Sequence, residues 1–460
     1  MPLADLFRAP AERAAFSDRA LLSGMVAFEG ALARALGDAG VVPREQAEAA
    51  GAFCDRLLAD ERALDALLDA DALAEAGRTA GTVAIPFVRA LVAALAREQP
   101  AAAGCIHRGA TSQDAIDTAL VLEARRASLA LQARLVAAAD AAAALAGAHR
   151  DAPIAGRTLL QAAVPVSFGW KAAGWLAAIA RCAERLRHEA ADACVLQFGG
   201  AAGTLASLGE HALPVADALA ARLALPRPAT SWHAARDGLC ALAAQAGIAC
   251  GALGKVGGDV ALLMQSEVAE AFEPAGAGRG GSSAMPHKRN PVGAMLAREA
   301  AYRAPGLVST MLAQLPAEHE RGLGSWQRDW FTLAELFGAA ASGADAVVEV
   351  LGGLQVDAAR MLSNLDALDG LPYAEALAAA LSGPLGRPAA QARVEALCRD
   401  AVERGVSLRE ACAAEPACSR LGAAALDAVF DPSARLAGAR AMTDAVLARW
   451  RVQRAEFFAD

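Results

Sequence analysis

Two adjacent hydroxyls, a lysine and an asparagine fall within one short stretch, Arg279-Gly280-Gly281-Ser282-Ser283-Ala284-Met285-Pro286-His287-Lys288-Arg289-Asn290-Pro291. Almost nothing in it could anchor to a core, so it reads as a functional loop rather than a packed element. Gly276, Gly278, Gly280 and Gly281 give freedom on one side, and Pro286 and Pro291 stiffen the other. Ser282, Ser283, Lys288 and Asn290 together suit a lid that closes over an anion. A second candidate is His107-Arg108-Gly109-Ala110-Thr111-Ser112-Gln113-Asp114, where hydroxyls precede acids and then Ile116, Leu120 and Val121. That order marks the start of a helix, with a capping box as its simplest account. A helix start also offers free backbone N–H groups and a favourable dipole to an anion, so at Thr111 and Ser112 the cap and an anion site are compatible readings. Arg78, between Gly77 and Gly81, is read as a solvated loop arginine and a lesser candidate for an anion contact.

The elements that must position these groups read as helices. Alanine is abundant, 55% of residues are hydrophobic, and only 5% are aromatic, which favours closely packed helices over sheets. The pattern beginning at Thr111 runs to His149 without proline, a rod of roughly 50 Å. Four more long patterns follow: Pro165 to about Val195, Ser231 to about Phe272, Pro291 to about Leu315, and Ser325 to about Leu351. The expected fold is all-α, with three helical domains: residues 1–107, a central bundle of five long helices over 108–354, and 355–460, where Gly370, Pro372, Pro384 and Pro388 break the pattern. Rods of this length suit a bundle that oligomerises along its sides.

A net charge of −8 with a pI near 5.5 argues against a nucleic-acid partner, which requires a basic face. A small anionic substrate is compatible with it, because positive charge can be concentrated in a cleft. Nine cysteines lack metal-binding spacing, and no His/Asp/Glu cluster has it either, so no metal and no cofactor are expected. Asp5 and Arg8 interrupt any leader, and the seventeen uncharged residues between Asp237 and Lys255 read as too short for a span. The expectation is a soluble cytoplasmic protein with reduced thiols and no membrane partner.

The loop's pattern, GSSxMPxKxNP, resembles the signature of the fumarase/aspartase superfamily. Gly156-Arg157-Thr158-Leu159-Leu160-Gln161-Ala162-Ala163-Val164-Pro165 resembles a second signature, and the Thr111-Ser112 segment a third. The resemblance implies that Ser282 exchanges the proton on a carbon next to a carboxylate, with Ser283 its rival. It also implies that Thr111, Ser112, Gln161, Lys288 and Asn290 hold substrate carboxylates, and that Thr158 and Arg157 belong to the same pattern. Arg157 is equally readable as a structural partner of a helix end. His107 is read as orienting the Thr111 region or a substrate oxygen, and Arg321 as either a helix-end charge or a further carboxylate clamp. His233 and His319 remain candidate general acids. In relatives the three signatures meet at the corners of a homotetramer, each from a different subunit.

One departure selects a branch. Superfamily lyases that expel an amine or water usually carry a histidine after the threonine of the second signature, paired with a glutamate thirteen residues beyond the loop's first serine; here these positions are Leu159 and Met295. Both members of a charge pair are replaced together, as the cost of an unpaired buried charge requires. Such a pair protonates a poor leaving group, which a carboxylate, ionised at neutral pH, does not need. The implied reaction is the addition of a carboxylate to a C=C bond within a small tricarboxylate, as in the lactone-forming cycloisomerase branch. Gln197-Phe198-Gly199-Gly200, Trp232-His233, Arg236-Asp237 and Glu318-His319-Glu320-Arg321 also resemble that branch, whereas Leu159, Ala162 and Ala235 replace larger residues typical of it. A β-eliminating lyase of the adenylosuccinate type and a catalytically silent structural relative are the alternatives.

Overall fold

A computed structural model describes residues 15–276, 280–281, 285 and 287–457. Long helices dominate the described residues, among them Ser112–Ala148, Phe168–Ala193, Asp237–Leu263, Val292–Leu312 and Asp329–Gly352. The first has 37 residues and is rich in alanine, which lets neighbouring backbones approach. A Cβ on Gly24, in the helix Asp18–Asp38, would lie 2.7 Å from Cβ of Ala119. Glycine at that crossing therefore sets how close the two helices can lie.

By compactness the described chain divides into two units. One comprises the residues up to Arg134, Cys182–Gly251 and Glu299–Ala344; the other comprises Leu135–Arg181, the described part of Ala252–Arg298, and Asp345 onward. In the first, Met25, Phe28, Leu32 and Leu36 of the Asp18–Asp38 helix are buried. Its long segments supply Leu120, Val121, Leu242 and Leu336 to the interior. In the second, short helices such as Ala374–Leu385 and Arg387–Arg404 bury Leu377, Leu381, Val394 and Leu397, together with Ala155.

Several boundaries differ from the sequence reading. Pro165 does not open a helix: Pro153–Thr158 and Gln161–Ser167 form an antiparallel hairpin, and the helix begins at Phe168. The long segment from Ser231 starts as helix only at Asp237 and ends at Leu263, while Ala271–Phe272 pairs as a short strand with Gln355–Val356. Arg78 lies in the last turn of the helix Ala70–Ala80, not in a loop, because the break comes at Gly81 in the left-handed conformation (φ 74°). The helix Asp237–Leu263 is also long and apolar enough to cross a membrane by length and composition, as are three others among the described residues. An interior helix of a bundle meets other helices on most sides and carries the same apolar signal.

Candidate functional site

Within the first unit, the start of the Ser112–Ala148 helix is built around a buried carboxylate. Asp114 is fully buried, and its Oδ2 accepts from the backbone N–H groups of Thr111 and Gly200, both at 2.9 Å. Its Oδ1 accepts from the N–H of Gly199 at 2.9 Å and from Nε2 of His233 at 2.7 Å. Half of the expected capping box is thus present, with the acid reaching back to the amide of Thr111. The other half is not, since Oγ1 of Thr111 accepts from Nη1 of Arg321 at 3.0 Å. Nη2 of Arg321 donates to the carbonyls of Gly200 and Ala201. Thr111 and Ser112 are half-buried.

His107 lies at the edge of this cluster, held in the left-handed region (φ 57°). Its Nδ1 and its backbone N–H both meet Glu29, each at 2.6 Å, and Glu29 is fully buried. Burial disfavours the imidazolium, but the hydrogen bond and charge of Glu29, with the charge of Asp114, more than offset it and raise the His107 pKa. Deeper in the same unit, the fully buried Arg236 forks onto Asp117 at 2.6 and 3.0 Å and reaches Asp329 through Nε at 3.0 Å. Burial pushes the Asp329 carboxyl up to about 6 despite Arg236.

Within the second unit, the hairpin presents Thr158 and Gln161, both exposed, on either side of its turn. Leu159 and Leu160 form that turn with φ 50° and 63°, a conformation ordinarily given to asparagine and glycine. They are 96% and 73% exposed. Arg157 turns the other way: Nη1 and Nη2 each donate at 2.8 Å to the carboxylate of the fully buried Glu270, which also accepts from Asn364 at 2.9 Å. The structural alternative for Arg157 is therefore realised with a carboxylate on a neighbouring segment, not with a helix end.

The described parts of the serine loop are pinned at the base. Glu273 caps the helix Val292–Leu312, accepting from the N–H groups of Gly293 and Ala294 at 3.0 and 2.7 Å. Arg289 donates to the carbonyl of Glu273 at 2.7 Å, and its guanidinium lies 5.1 Å from the centre of the Phe272 ring. The N–H of Asn290 donates to the carbonyl of Gly280 at 2.8 Å, and a Cβ on Gly280 would come within 2.5 Å of the Asn290 carbonyl oxygen. Lys288 is exposed and Asn290 half-buried. Ser282 and Ser283 lie outside the described residues.

A family model described as lyase matches residues 7–306, and one described as adenylosuccinate lyase C-terminus matches residues 370–446. The chain belongs to the lyase family. Its fold is of the fumarase/aspartase type, as the match to solved lyase structures indicates. Among similar lyases, a Pseudomonas aeruginosa protein named 3-carboxy-cis,cis-muconate cycloisomerase is 49% identical over 96% of this chain and 95% of its own. A nitrosuccinate lyase of Streptomyces davaonensis is 43% identical over 94% of this chain and 91% of its own. The crystal structure of the 3-carboxy-cis,cis-muconate lactonizing enzyme from Pseudomonas putida matches with a TM-score of 0.89 and 43% identity, covering 98% of each chain.

Of the candidates in this lyase, one unit brings together His107, Thr111, Ser112 and Arg321, and the other holds Arg157, Thr158, Gln161, Lys288 and Asn290. Sequence reasoning gave no role to Asp114 beyond capping and missed Glu270, Glu273 and Arg289. Each is recognised only through a partner distant in the chain. Lys171 was missed as well: burial lowers its pKa, Asp259 and Glu270 work against that, and Lys255 and Arg157 add to it. Lysine is rare enough in this chain to have drawn attention, since Lys171, Lys255 and Lys288 are its three.

Proposed function

We propose that this lyase is a cofactor-independent cycloisomerase that converts 3-carboxy-cis,cis-muconate to 4-carboxymuconolactone in the β-ketoadipate branch of aromatic degradation. The observation that carries the proposal is near full-length similarity to several proteins named for that activity, with which the apolar pair Leu159 and Met295 agrees. A substrate carboxylate adds to the C=C bond, and the carbon next to a second carboxylate receives a proton from Ser282. The serine oxyanion is then reprotonated from solvent; in reversal the steps run backwards. Ser283 is the alternative donor. Lys288 offsets the negative charge that builds on the carboxylate beside the reacting carbon, and Thr111, Ser112, Gln161 and Asn290 hold the remaining oxygens. Thr158 and Arg321 complete the anion contacts. Arg157 and His107 support them through Glu270 and Glu29.

The working form in this proposal is a soluble, cytoplasmic homotetramer whose three signatures meet from different subunits. Support comes from the hairpin turn: two leucines with positive φ, almost fully exposed, suit a tip that another copy covers. The division into residues 1–107, 108–354 and 355–460 belongs to the same proposal.

A second reading has a specific basis. Nitrite, like a carboxylate, is a weak base and leaves without a proton, so Leu159 and Met295 suit nitrosuccinate elimination equally, and a relative bears that name. The test is loss of the ultraviolet absorbance of the conjugated diene of 3-carboxy-cis,cis-muconate, with Ser282→Ala as control and nitrite release from nitrosuccinate measured in parallel. Diene loss that the control lacks supports the cycloisomerase; nitrite release without diene loss transfers the assignment to the elimination.

A further inference from the structure

The Asp114 carboxylate receives four hydrogen bonds, three of them from backbone amides. The fourth comes from His233, 2% exposed and 119 residues away in sequence. Because a carboxylate only accepts, Nε2 of His233 carries the proton. Its Nδ1 is buried and has no hydrogen-bond partner among the described residues. A Cβ on Gly199 would fall 2.9 Å from Cε1 of the same ring, so the glycine loop is fitted against the imidazole. The ring therefore presents no exposed proton, which argues against the general-acid role that its sequence position invites.

Its surroundings are held from several sides. The carbonyl of His233 accepts from Nε2 of Gln113 at 3.0 Å, and Oε1 of Gln197 accepts from the N–H of Trp232 at 3.0 Å. The carbonyl of Gln197 accepts from Oγ1 of Thr118 at 2.8 Å. One imidazole thus joins the irregular segment at 231–236, the loop at 199–200 and the first turn of the Ser112–Ala148 helix through a single carboxylate. That carboxylate is bonded directly to the amide of Thr111.

We infer that His233 is a positioning residue for the substrate-carboxylate site: through Asp114 it fixes the amide of Thr111 and the Gly199–Gly200 loop, and so the placement of Thr111 and Ser112. This rests on the proposed carboxylate-binding role of Thr111 and Ser112. Charged hydrogen bonds to a buried acid contribute more than neutral ones, and loss of a supporting partner typically weakens a site by about tenfold or more.

The experiment compares His233→Leu and His233→Asn, which have no donor at the Nε2 position, with His233→Gln, whose Nε2 can occupy it. Asn serves where Leu does not fold. Two quantities are measured on the full-length oligomer: hydrogen exchange at the amides of Thr111, Gly199 and Gly200, and steady-state kinetics with 3-carboxy-cis,cis-muconate. The expected result is exchange at these amides about tenfold faster and KM about tenfold higher in the donor-less variants, with kcat within about threefold and Gln close to the parent in both. Unchanged exchange, or no rescue by Gln, overturns the inference. So does a collapse of kcat at unchanged KM, which would give His233 a chemical role. A parent enzyme that does not turn over the muconate refutes the substrate assignment alone, and the exchange comparison still decides whether His233 holds the site.

Discussion

Removing Arg157 tests whether its guanidinium serves the substrate or the fold. Glu270 is fully buried and takes two hydrogen bonds from Arg157 and one from Asn364. Arg157→Leu strips the charge partner and leaves an ionised carboxylate with one neutral donor. Breaking a buried pair on one side costs about 3–5 kcal/mol. The Arg157 side chain is 27% exposed, so some water already reaches the pair and the lower end, about 3 kcal/mol, is expected. Glu270→Leu is milder, about 1–2 kcal/mol, because the freed guanidinium has a route to solvent. Asn364 keeps the carbonyl of Val268 as a partner. The double variant Arg157→Leu/Glu270→Leu removes both charges and is expected within about 1 kcal/mol of the parent, the signature of a coupled pair. Urea unfolding at one fixed protein concentration measures all four proteins, since oligomerisation makes the midpoint depend on concentration. A double variant whose loss equals the sum of the singles refutes the reasoning. So would Arg157→Leu with full stability and a large rise in KM, which would return the guanidinium to the substrate.

Two pH effects and one titration follow from the buried charges. Asp329 has its carboxyl raised from 3.8 to about 6 by burial, so its contribution is complete below about pH 4 and is lost as pH rises through about 6. Asp329→Asn should flatten unfolding stability across that window and leave it at pH 7 no lower than the parent's by more than about 1 kcal/mol; a steep loss at pH 7 would show that Arg236 requires both carboxylates. His107 has a raised pKa, so its pairing with Glu29 is complete below about pH 6.5 and fades as pH climbs past the folded-state value. His107→Gln should abolish that component of the stability profile, and an unchanged profile would contradict it. Methylation of the lysines with a carbon-13 label gives three resonances, of which that of Lys171 should titrate below 10.5 and fall further in Asp259→Asn, because Asp259 supports its charge; no shift on removing Asp259 would refute the assignment.

The helical start at Thr111 was legible because it is written in consecutive residues. A hydroxyl-hydroxyl-x-acid run before an apolar stripe has a local cause, and the structure realises it through the bond from Asp114 to the Thr111 amide. The hairpin was not legible. Ala155-Gly156-Arg157-Thr158 and Gln161-Ala162-Ala163 lack the alternation of β-branched residues that marks strands, and Leu-Leu is a poor turn sequence. Its conformation comes from tertiary packing, with Arg157 tied to Glu270 across 113 residues. The partners of Asp114 and Arg236 were hidden for the same reason, since no local pattern predicts which distant charge shares a buried pocket. Arg78 was misplaced because Gly77 looked like a break, whereas the close approach of Gly77 to the Val83 backbone makes it a packing glycine inside a helix.

The bond from Arg321 to Thr111 also sets a direction. A guanidinium has no lone pair to offer, so at that contact Oγ1 of Thr111 is obliged to accept. The hydroxyl's own hydrogen must then rotate elsewhere. With the Thr111 amide already committed to Asp114, the hydroxyl is the polar group that Thr111 retains for an incoming molecule, and it arrives proton first. The residue is thereby biased toward carboxylate oxygens over ammonium groups, which can only donate, before any substrate enters. Exchanging Arg321 for glutamine, which has an acceptor as well as donors, would free that hydroxyl to turn either way, so selectivity between anionic and neutral ligands would soften even where shape and size are unaltered.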